Sequence, residues 1–273
     1  MRLVLIALAL IPWAVPIAAQ QTAPLEPTTF NPSPGVKLVP SPPPNQKVQA
    51  DRDVTVAWMK AMREKHEGKF PGPPPRLANG RPDLSGTWIP IGRPEKLEMT
   101  PLALAELDRR YRTNNKDFPY SVCLPPFPTP TDWGFTWEVL HSPERLVTLH
   151  EDPPYYRLVF LDGRPHPPDA DPTWTGHSIG RWDGDALAVE SVGFNDRTYL
   201  EAFLPHTDKL RIRERWTRPT MGTMVVERTY DDPDVFVTPY TIVFTLFLAP
   251  GEVFLENICE NNKFPELSHG QNP

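Results

Sequence analysis

A chain of 273 residues with 34 acidic side chains against 28 basic ones has a net charge of −6, which argues against nucleic acid or an anionic membrane as its main partner. The two cysteines lie too far apart for a Cys-based zinc site, whose ligands come in close pairs. There is no Gly-x-Ser-x-Gly elbow, phosphate-binding glycine loop, His-Glu-x-x-His helix or dinucleotide fingerprint, so no cofactor is expected.

Met1-Arg2 sets one positive charge before the uncharged stretch Leu3 to Ala19, which Pro12 and Pro16 interrupt and which ends in Ile17-Ala18-Ala19. A basic start, an apolar centre and small exit residues are the plan of a secretory signal peptide, so residues 1–19 are expected to be removed. A membrane anchor needs ~20 apolar residues and tolerates such prolines poorly. No later stretch is long and apolar enough to span, so no integral membrane segment is expected after cleavage. The mature chain would hold 27 basic against 34 acidic residues, a net charge of −7, and is expected to be periplasmic or secreted. In that oxidising setting Cys123 and Cys259 are expected to form one bridge, contributing ~4 kcal/mol by the chain-entropy argument. Two buried free thiols are the alternative.

Residues 20–81 are expected to be a Pro-rich, disordered arm, with Pro32-Ser33-Pro34 and Ser41-Pro42-Pro43-Pro44 as examples of sequence that buries little apolar surface. Within it, residues 51–67 are expected to be helical. Asp51 or Asp53 would cap the helix, Val54, Trp58, Met59 and Met62 recur near helical spacing, and Pro71 to Pro75 end it. Whether this helix docks or serves as a loose spacer is open. The folded domain is expected over residues 82–262, with a flexible tail at 263–273. After a first strand near Gly86–Ile91, Thr100 is a natural cap for a second helix, Pro101 suits its first position, and Leu102, Leu104, Leu107 and Tyr111 form its apolar stripe.

From Gly134 the pattern turns to period two. Expected strands are Phe135–Leu140, Arg145–Glu151, Tyr155–Leu161, Ile179–Trp182, Ala186–Val192, Lys209–Thr217, Thr223–Tyr230, Tyr240–Phe247 and Val253–Cys259. Asp183-Gly184 marks a tight hairpin and Gly251-Glu252 a joint between the last two. A mainly β chain with an antiparallel meander of about ten strands either closes into an up-and-down barrel or splits into two sheets; closure removes the exposed edges and is preferred.

Gly86-Thr87-Trp88 has the Gly-x-Trp form found near the start of lipocalin barrels, so the chain resembles that lipocalin-like (calycin) group; an ordinary core Trp fits the same three residues. A longer set of motifs is Pro82-Asp83-Leu84-Ser85-Gly86-Thr87-Trp88, then Phe160-Leu161-Asp162-Gly163-Arg164-Pro165-His166-Pro167, then Gly176-His177-Ser178-Ile179-Gly180-Arg181-Trp182-Asp183-Gly184-Asp185. Val192-Gly193-Phe194-Asn195-Asp196-Arg197-Thr198, His206-Thr207-Asp208, Glu214-Arg215-Trp216 and Asp231-Asp232-Pro233 extend it, and Glu256 to Asn261 close it. With these the chain resembles a family of secreted bacterial proteins over most of residues 82–262. The resemblance implies one domain and brings no substrate, cofactor or catalytic residue with it.

Three polar or aromatic groups are candidates for function. His166, His177, Asp196 and His206 fall at strand ends or in loops, where binding groups concentrate, and imidazole with carboxylate can relay a proton or hold a zinc-type ion. No pair has a metal spacing, so no metal site is assigned, and loop histidines are often plain surface residues. In the hairpin around Thr220–Met221, Glu214 shares a strand face with Leu210, Ile212 and Trp216, and Arg228 shares one with Met224, Val226 and Tyr230. Pointing inward, Glu214 and Arg228 would be a buried pair fit to hold a ligand's polar head; pointing outward, a surface salt bridge. Trp133, Trp137, Trp174, Trp182 and Trp216 suit a ligand wall or a core.

The leading expectation is an exported binding protein holding a small, partly apolar ligand in the barrel, lined by Trp88, Trp182, Glu214, Trp216 and Arg228. The alternatives are a hydrolase or isomerase using the His/Asp set, and a structural envelope protein.

Overall fold

The computed structural model describes residues 57, 59–94, 97–113, 115–129, 136–151, 155–169, 171–200 and 204–254. The expected signal peptide, the stretch 20–56, Trp58, Trp133, Cys259 and the tail 263–273 lie outside them, as does most of the expected strand Val253–Cys259. A helix at 59–66 (α1) precedes β1 (Gly86–Pro94), α2 (Pro101–Arg112) and a 3-10 turn (Pro119–Val122). Then come β2 (Trp137–His141), β3 (Arg145–His150), β4 (Tyr155–Phe160), β5 (His177–Asp183), β6 (Ala186–Val192), β7 (Arg211–Thr220), β8 (Thr223–Asp231) and β9 (Tyr240–Leu248).

The nine strands form a closed barrel in sequence order, with β9 returning to pair with β1 from Trp88↔Leu248 to Pro94↔Ile242. The expected meander is antiparallel at every step but one. β4 and β5 pair in parallel, Val159 with Ser178 and Phe160 with Ile179. A tight turn reverses a chain, but the long connection from Leu161 to Gly176 carries it back to the end where β4 began, as a parallel pairing requires. At the end of that connection Gly176 sits at φ +64°, and a Cβ there would lie 2.6 Å from the Val192 carbonyl oxygen, so only glycine fits.

Alternation along the strands selects the core. Trp88, Trp137, Val139, Leu146, Val159, Leu187, Val189, Ile212, Trp216, Met224, Val226, Ile242, Phe244 and Leu246 point inward and are buried. Partners directly opposite one another, such as Leu187↔Trp216 and Val226↔Phe244, lie on the same inner face, which is what makes one continuous core from nine strands.

One end of the barrel is built around Trp88. Its indole N–H donates to the Leu84 carbonyl at 3.2 Å, and the Arg218 guanidinium lies 4.8 Å from the ring centre. Arg218 also donates to the carbonyls of Asp83, Ser85 and Met221, so one cation ties the entry of β1 to the β7–β8 turn. Chain from the arm crosses the same end. Gly222 N–H donates to the Phe70 carbonyl and Met221 N–H to that of Gly72, while Arg76 forms a two-pronged pair with Asp185 and Arg81 donates to the Gly184 carbonyl. His66 reaches Glu252 at 3.0 Å. Within the described residues this part of the arm is docked on the barrel.

At the other end the expected cap holds: Thr100 Oγ1 accepts from Ala103 N–H at 3.2 Å and donates to the Asp234 carbonyl. The apolar stripe differs. Ala103 and Leu107 enter the core, with buried Arg110 one turn further on, whereas Leu102 is 69% exposed. The face turned to the barrel therefore runs 103, 107, 110, set by where the Thr100–Asp234 contact anchors the first turn. No helix among the described residues is long and apolar enough to cross a membrane.

Candidate functional site

The inner wall is not wholly apolar. Midway along it, strands β3 to β8 each contribute polar side chains to one buried belt: Thr148 and His150, Arg157, Ser178, Ser191, Glu214, and Arg228 with Tyr230. The register explains the meeting. Thr148 faces Arg157 across β3–β4, Ser178 faces Ser191 across β5–β6, and Glu214 faces Arg228 across β7–β8.

Glu214 is the hinge of this belt. Its Oε1 accepts from Arg228 Nε at 2.7 Å, and its Oε2 lies 2.6 Å from Arg157 Nη2, with all three side chains essentially removed from solvent. Arg157 also donates through Nε to Ser178 Oγ at 3.2 Å and through Nη2 to Ser191 Oγ at 2.7 Å, and the two serines bond one another at 2.7 Å. Arg228 sits 4.6 Å from the Phe244 ring centre. Burial by itself would raise the Glu214 carboxyl, but the Arg157 and Arg228 guanidiniums outweigh it and hold it down to about 2. Glu214 is therefore a carboxylate at neutral pH.

His150 closes one side of the belt, 2.8 Å from Thr148 Oγ1 and edge-on to Trp137. Burial first, then the charges of Arg228 and Arg157, push its pKa far below the ordinary histidine value, so it is neutral. Among the described residues the belt sets two guanidiniums, Arg157 and Arg228, against the one carboxylate of Glu214. Two buried donors on this wall, Arg157 Nη1 and Trp216 Nε1, have no hydrogen-bond partner among the described residues.

The neutrality of His150 has a pH consequence. The unfolded chain takes up a proton near pH 6.5 and the folded chain does not, so stability falls as pH drops below that value, by at most ~1.4 kcal/mol per pH unit. Buried His206, also lowered chiefly by burial, acts in the same sense. His150→Gln, which keeps a group able to reach Thr148, is expected to flatten the decline in urea-unfolding free energy between pH 6.5 and 5 without abolishing it; an unchanged slope would show that His150 is protonated in the fold.

The other expected site residues are dispersed. His166 and His177 do meet, Nδ1 to Nδ1 at 2.9 Å, with Phe160 stacked on His177. Strand alternation puts them on the outer side of β5, opposite in sense to inward Ser178. Both are held below the ordinary histidine value, chiefly by burial and then by neighbouring positive charges. His206 belongs to another place, buried at the end of the barrel with Thr198 Oγ1 at 2.5 Å and the Thr207 carbonyl at 3.0 Å. Thr207 in turn is held by Asp232, so His206 stitches its loop to the end of β8. Asp196 is exposed. No hydrogen bond among the described residues joins the His166–His177 pair to Asp196 or His206.

Of the expected ligand-lining set, Glu214, Trp216 and Arg228 are inside the barrel, Trp88 packs at the arm end, and Trp182 is half-buried near His141 with Arg81 over its ring. Arg157, Ser178, Ser191 and His150 were not expected. The signal available for Arg157 is its place two residues before Val159 on one face of β4; its partners lie on strands far away in sequence. No group of three or more His, Cys, Asp or Glu side chains among the described residues could hold a metal ion.

These features define a closed β-barrel with a charged, buried belt, a form compatible with the lipocalin-like resemblance. Compared with known proteins, the chain matches no family model, no curated protein and no solved structure.

Proposed function

We propose that this is an exported binding protein that holds a small, partly apolar ligand inside its barrel. The observation that carries the reading is the Arg157–Glu214–Arg228 belt on the inner wall, bordered by Trp137, Trp216 and Phe244. Apolar cores of this size fold without buried ions, and replacing a buried ion set by hydrophobic residues is often neutral or stabilising, so the belt asks for a reason beyond stability. Polar groups convergent on an otherwise apolar interior are the usual make-up of a small-molecule site. Binding of the uncharged dye N-phenyl-1-naphthylamine, followed by its fluorescence, tests this. Saturable uptake of one dye per chain, lost on unfolding, is the expected result; absence of saturable uptake would remove the reading.

Export rests on the uncharged stretch Leu3–Ala19 after Arg2. Expressed in a bacterium, the chain is expected in the periplasm or medium with Gln20 as its first residue, which amino-terminal sequencing reads directly. Export supports a bridge between Cys123, half-buried after the 3-10 turn, and Cys259. Thiol titration of the denatured secreted protein should find no free thiol before reduction and two after it; two at the outset would exclude the bridge.

A further inference from the structure

Both ends of the barrel are covered, so a ligand has to come through the wall. We propose that it enters by the seam between β4 and β5, and that the His166–His177 pair is the latch that holds this seam shut from outside. This rests on the barrel-binding reading above.

The fold accounts for the ends. At the arm end Trp88 and Arg218 are buried, and Phe70 and Gly72 cross over them through their bonds to Gly222 and Met221. At the other end α2 puts Ala103 and Leu107 into the core, and buried His206 ties down the loop before β7.

The wall is least firmly joined at one place. β3 and β4 pair from Arg145↔Phe160 to His150↔Tyr155, and β5 and β6 from His177↔Val192 to Asp183↔Ala186. Between them β4 and β5 share Val159↔Ser178 and Phe160↔Ile179, the shortest pairing among the described strands. The next shortest, β1 with β2, runs from Gly86↔Val139 to Trp88↔Trp137 and is continued by Leu84 N–H donating to His141 Nδ1 and His141 N–H donating to Ser85 Oγ. Local opening costs least where the fewest backbone bonds must break, and a parallel pair is slightly the weaker kind.

What this seam lacks in backbone bonds, side chains supply on both faces. Inside, Arg157 of β4 donates to Ser178 of β5 and to Ser191 of β6. Towards the arm end Val159 and Leu161 close against Gly180, where a Cβ would stand 2.5 Å from Leu161 Cδ2 and 3.2 Å from Val159 Cγ1. Outside, Phe160 of β4 stacks on His177 of β5, and His177 meets His166 of the long connection, Nδ1 to Nδ1 at 2.9 Å. The two ring centres lie 5.1 Å apart, so the nitrogens face each other head-on, one ring donating and the other accepting. The connection that makes the parallel step is thereby fastened back onto β5. None of these links belongs to the backbone ladder, so they can release while the antiparallel seams stay paired. Arg157 and Ser178 belong both to the seam and to the belt. Parting β4 from β5 therefore brings the belt to the opening, where an entering ligand meets it first.

The test is kinetic, because a portal sets how fast a ligand enters and leaves and not how tightly it is held. Phe160 and Ile179 are outward register partners on adjacent strands, at a spacing that a disulfide spans. In the mature protein carrying Phe160→Cys and Ile179→Cys, stopped-flow uptake of N-phenyl-1-naphthylamine should be at least about tenfold slower oxidised than reduced, with one dissociation constant for both forms. The unmutated protein under the same two conditions is the control for Cys123 and Cys259. His166→Ala, which removes the latch from the outer face, should raise association and dissociation rates together, by about threefold or more. Because the cysteine pair could fail to fold or to oxidise, His166→Ala supplies the decision by itself. Amide exchange followed by mass spectrometry reads the seam without any ligand: oxidation, or the native latch compared with His166→Ala, should slow Tyr155–Phe160 and His177–Asp183 and leave Thr223–Asp231 unchanged. Equal uptake rates with the seam locked and unlocked, or with and without the latch, overturn the portal while the barrel-binding reading stands. No uptake by the unmutated protein removes the binding reading, and the seam then stands or falls on exchange: unchanged exchange in both comparisons overturns it as well.

Discussion

Glu214→Gln is expected to unfold about 3–5 kcal/mol more easily than the unmutated protein at pH 7, measured by urea denaturation, because it removes the carboxylate that two buried guanidiniums share. The shape of the side chain is preserved, so lost packing contributes little and the electrostatic effect is isolated. The sign with pH follows from the lowered carboxyl. Glu214 is ionised in the fold down to about 2 and in the unfolded chain only above ~4.5, so the stability it supplies is complete above that value and is lost as pH falls between the two. The gap between Glu214→Gln and the unmutated protein should therefore narrow on acidification below pH 4.5. A gap that stays constant would mean that the carboxyl is protonated in the fold and that the belt is not ionic.

The complementary change separates stability from function. Replacing Arg157, Glu214 and Arg228 together by apolar residues of similar volume removes the three charges of the belt at once. Such a barrel is expected to be as stable as the original or more so. If the belt exists to receive a ligand, this stable variant should take up N-phenyl-1-naphthylamine with a changed affinity, and unchanged uptake would separate the belt from binding. Breaking one partner is costly and removing all three is not; that asymmetry is the signature of charges retained for a purpose other than holding the fold.

How far these residues are legible in the sequence depends on how locally their partners lie. Glu214 and Arg228 sit in one hairpin, so a turn near Thr220–Met221 and period-two alternation suffice to pair them; only the direction of the face is left open. Arg157 shows an inward alternation with Val159, but its bond to Glu214 depends on how β4 to β7 follow one another around a closed barrel, and the parallel step between β4 and β5 is invisible in strand patterns. Most of the strands are legible because they are bounded by turn chemistry and alternate, as in Thr223–Asp231. The stripe of α2 is misjudged for a physical reason: a helix with leucines on more than one face is oriented by its anchors, here the Thr100–Asp234 bond, and not by its most apolar residues. The His/Asp set fails to assemble because loop residues close in chemistry need not be close in space. His177 alternates outward from β5, and His206 is drawn inward by Thr198.

Trp88→Ala is the second change expected to act strongly, at about 3–5 kcal/mol, since it empties a large, fully buried position at the arm end of the barrel. Part of that loss belongs to a neighbour. Arg218 is buried over the indole ring and donates to the carbonyls of Asp83, Ser85 and Met221; without the ring beneath it the guanidinium keeps its backbone partners but loses its apolar floor. Burial already disfavours the charged form of Arg218, which marks the cation as costly where it stands. The two side chains should consequently be coupled. In a double-mutant cycle of Trp88→Ala and Arg218→Met, urea unfolding should give an interaction of about 1–2 kcal/mol, because once one member is gone the other has less left to lose. The same end carries the contacts of Gly72 and Phe70 with Met221 and Gly222, so Trp88→Ala should also release the arm, seen as faster proteolysis between α1 and β1. Strict additivity in the cycle would sink the idea that Trp88 and Arg218 close the barrel as a unit, and would reduce the Gly-x-Trp start to an ordinary core tryptophan.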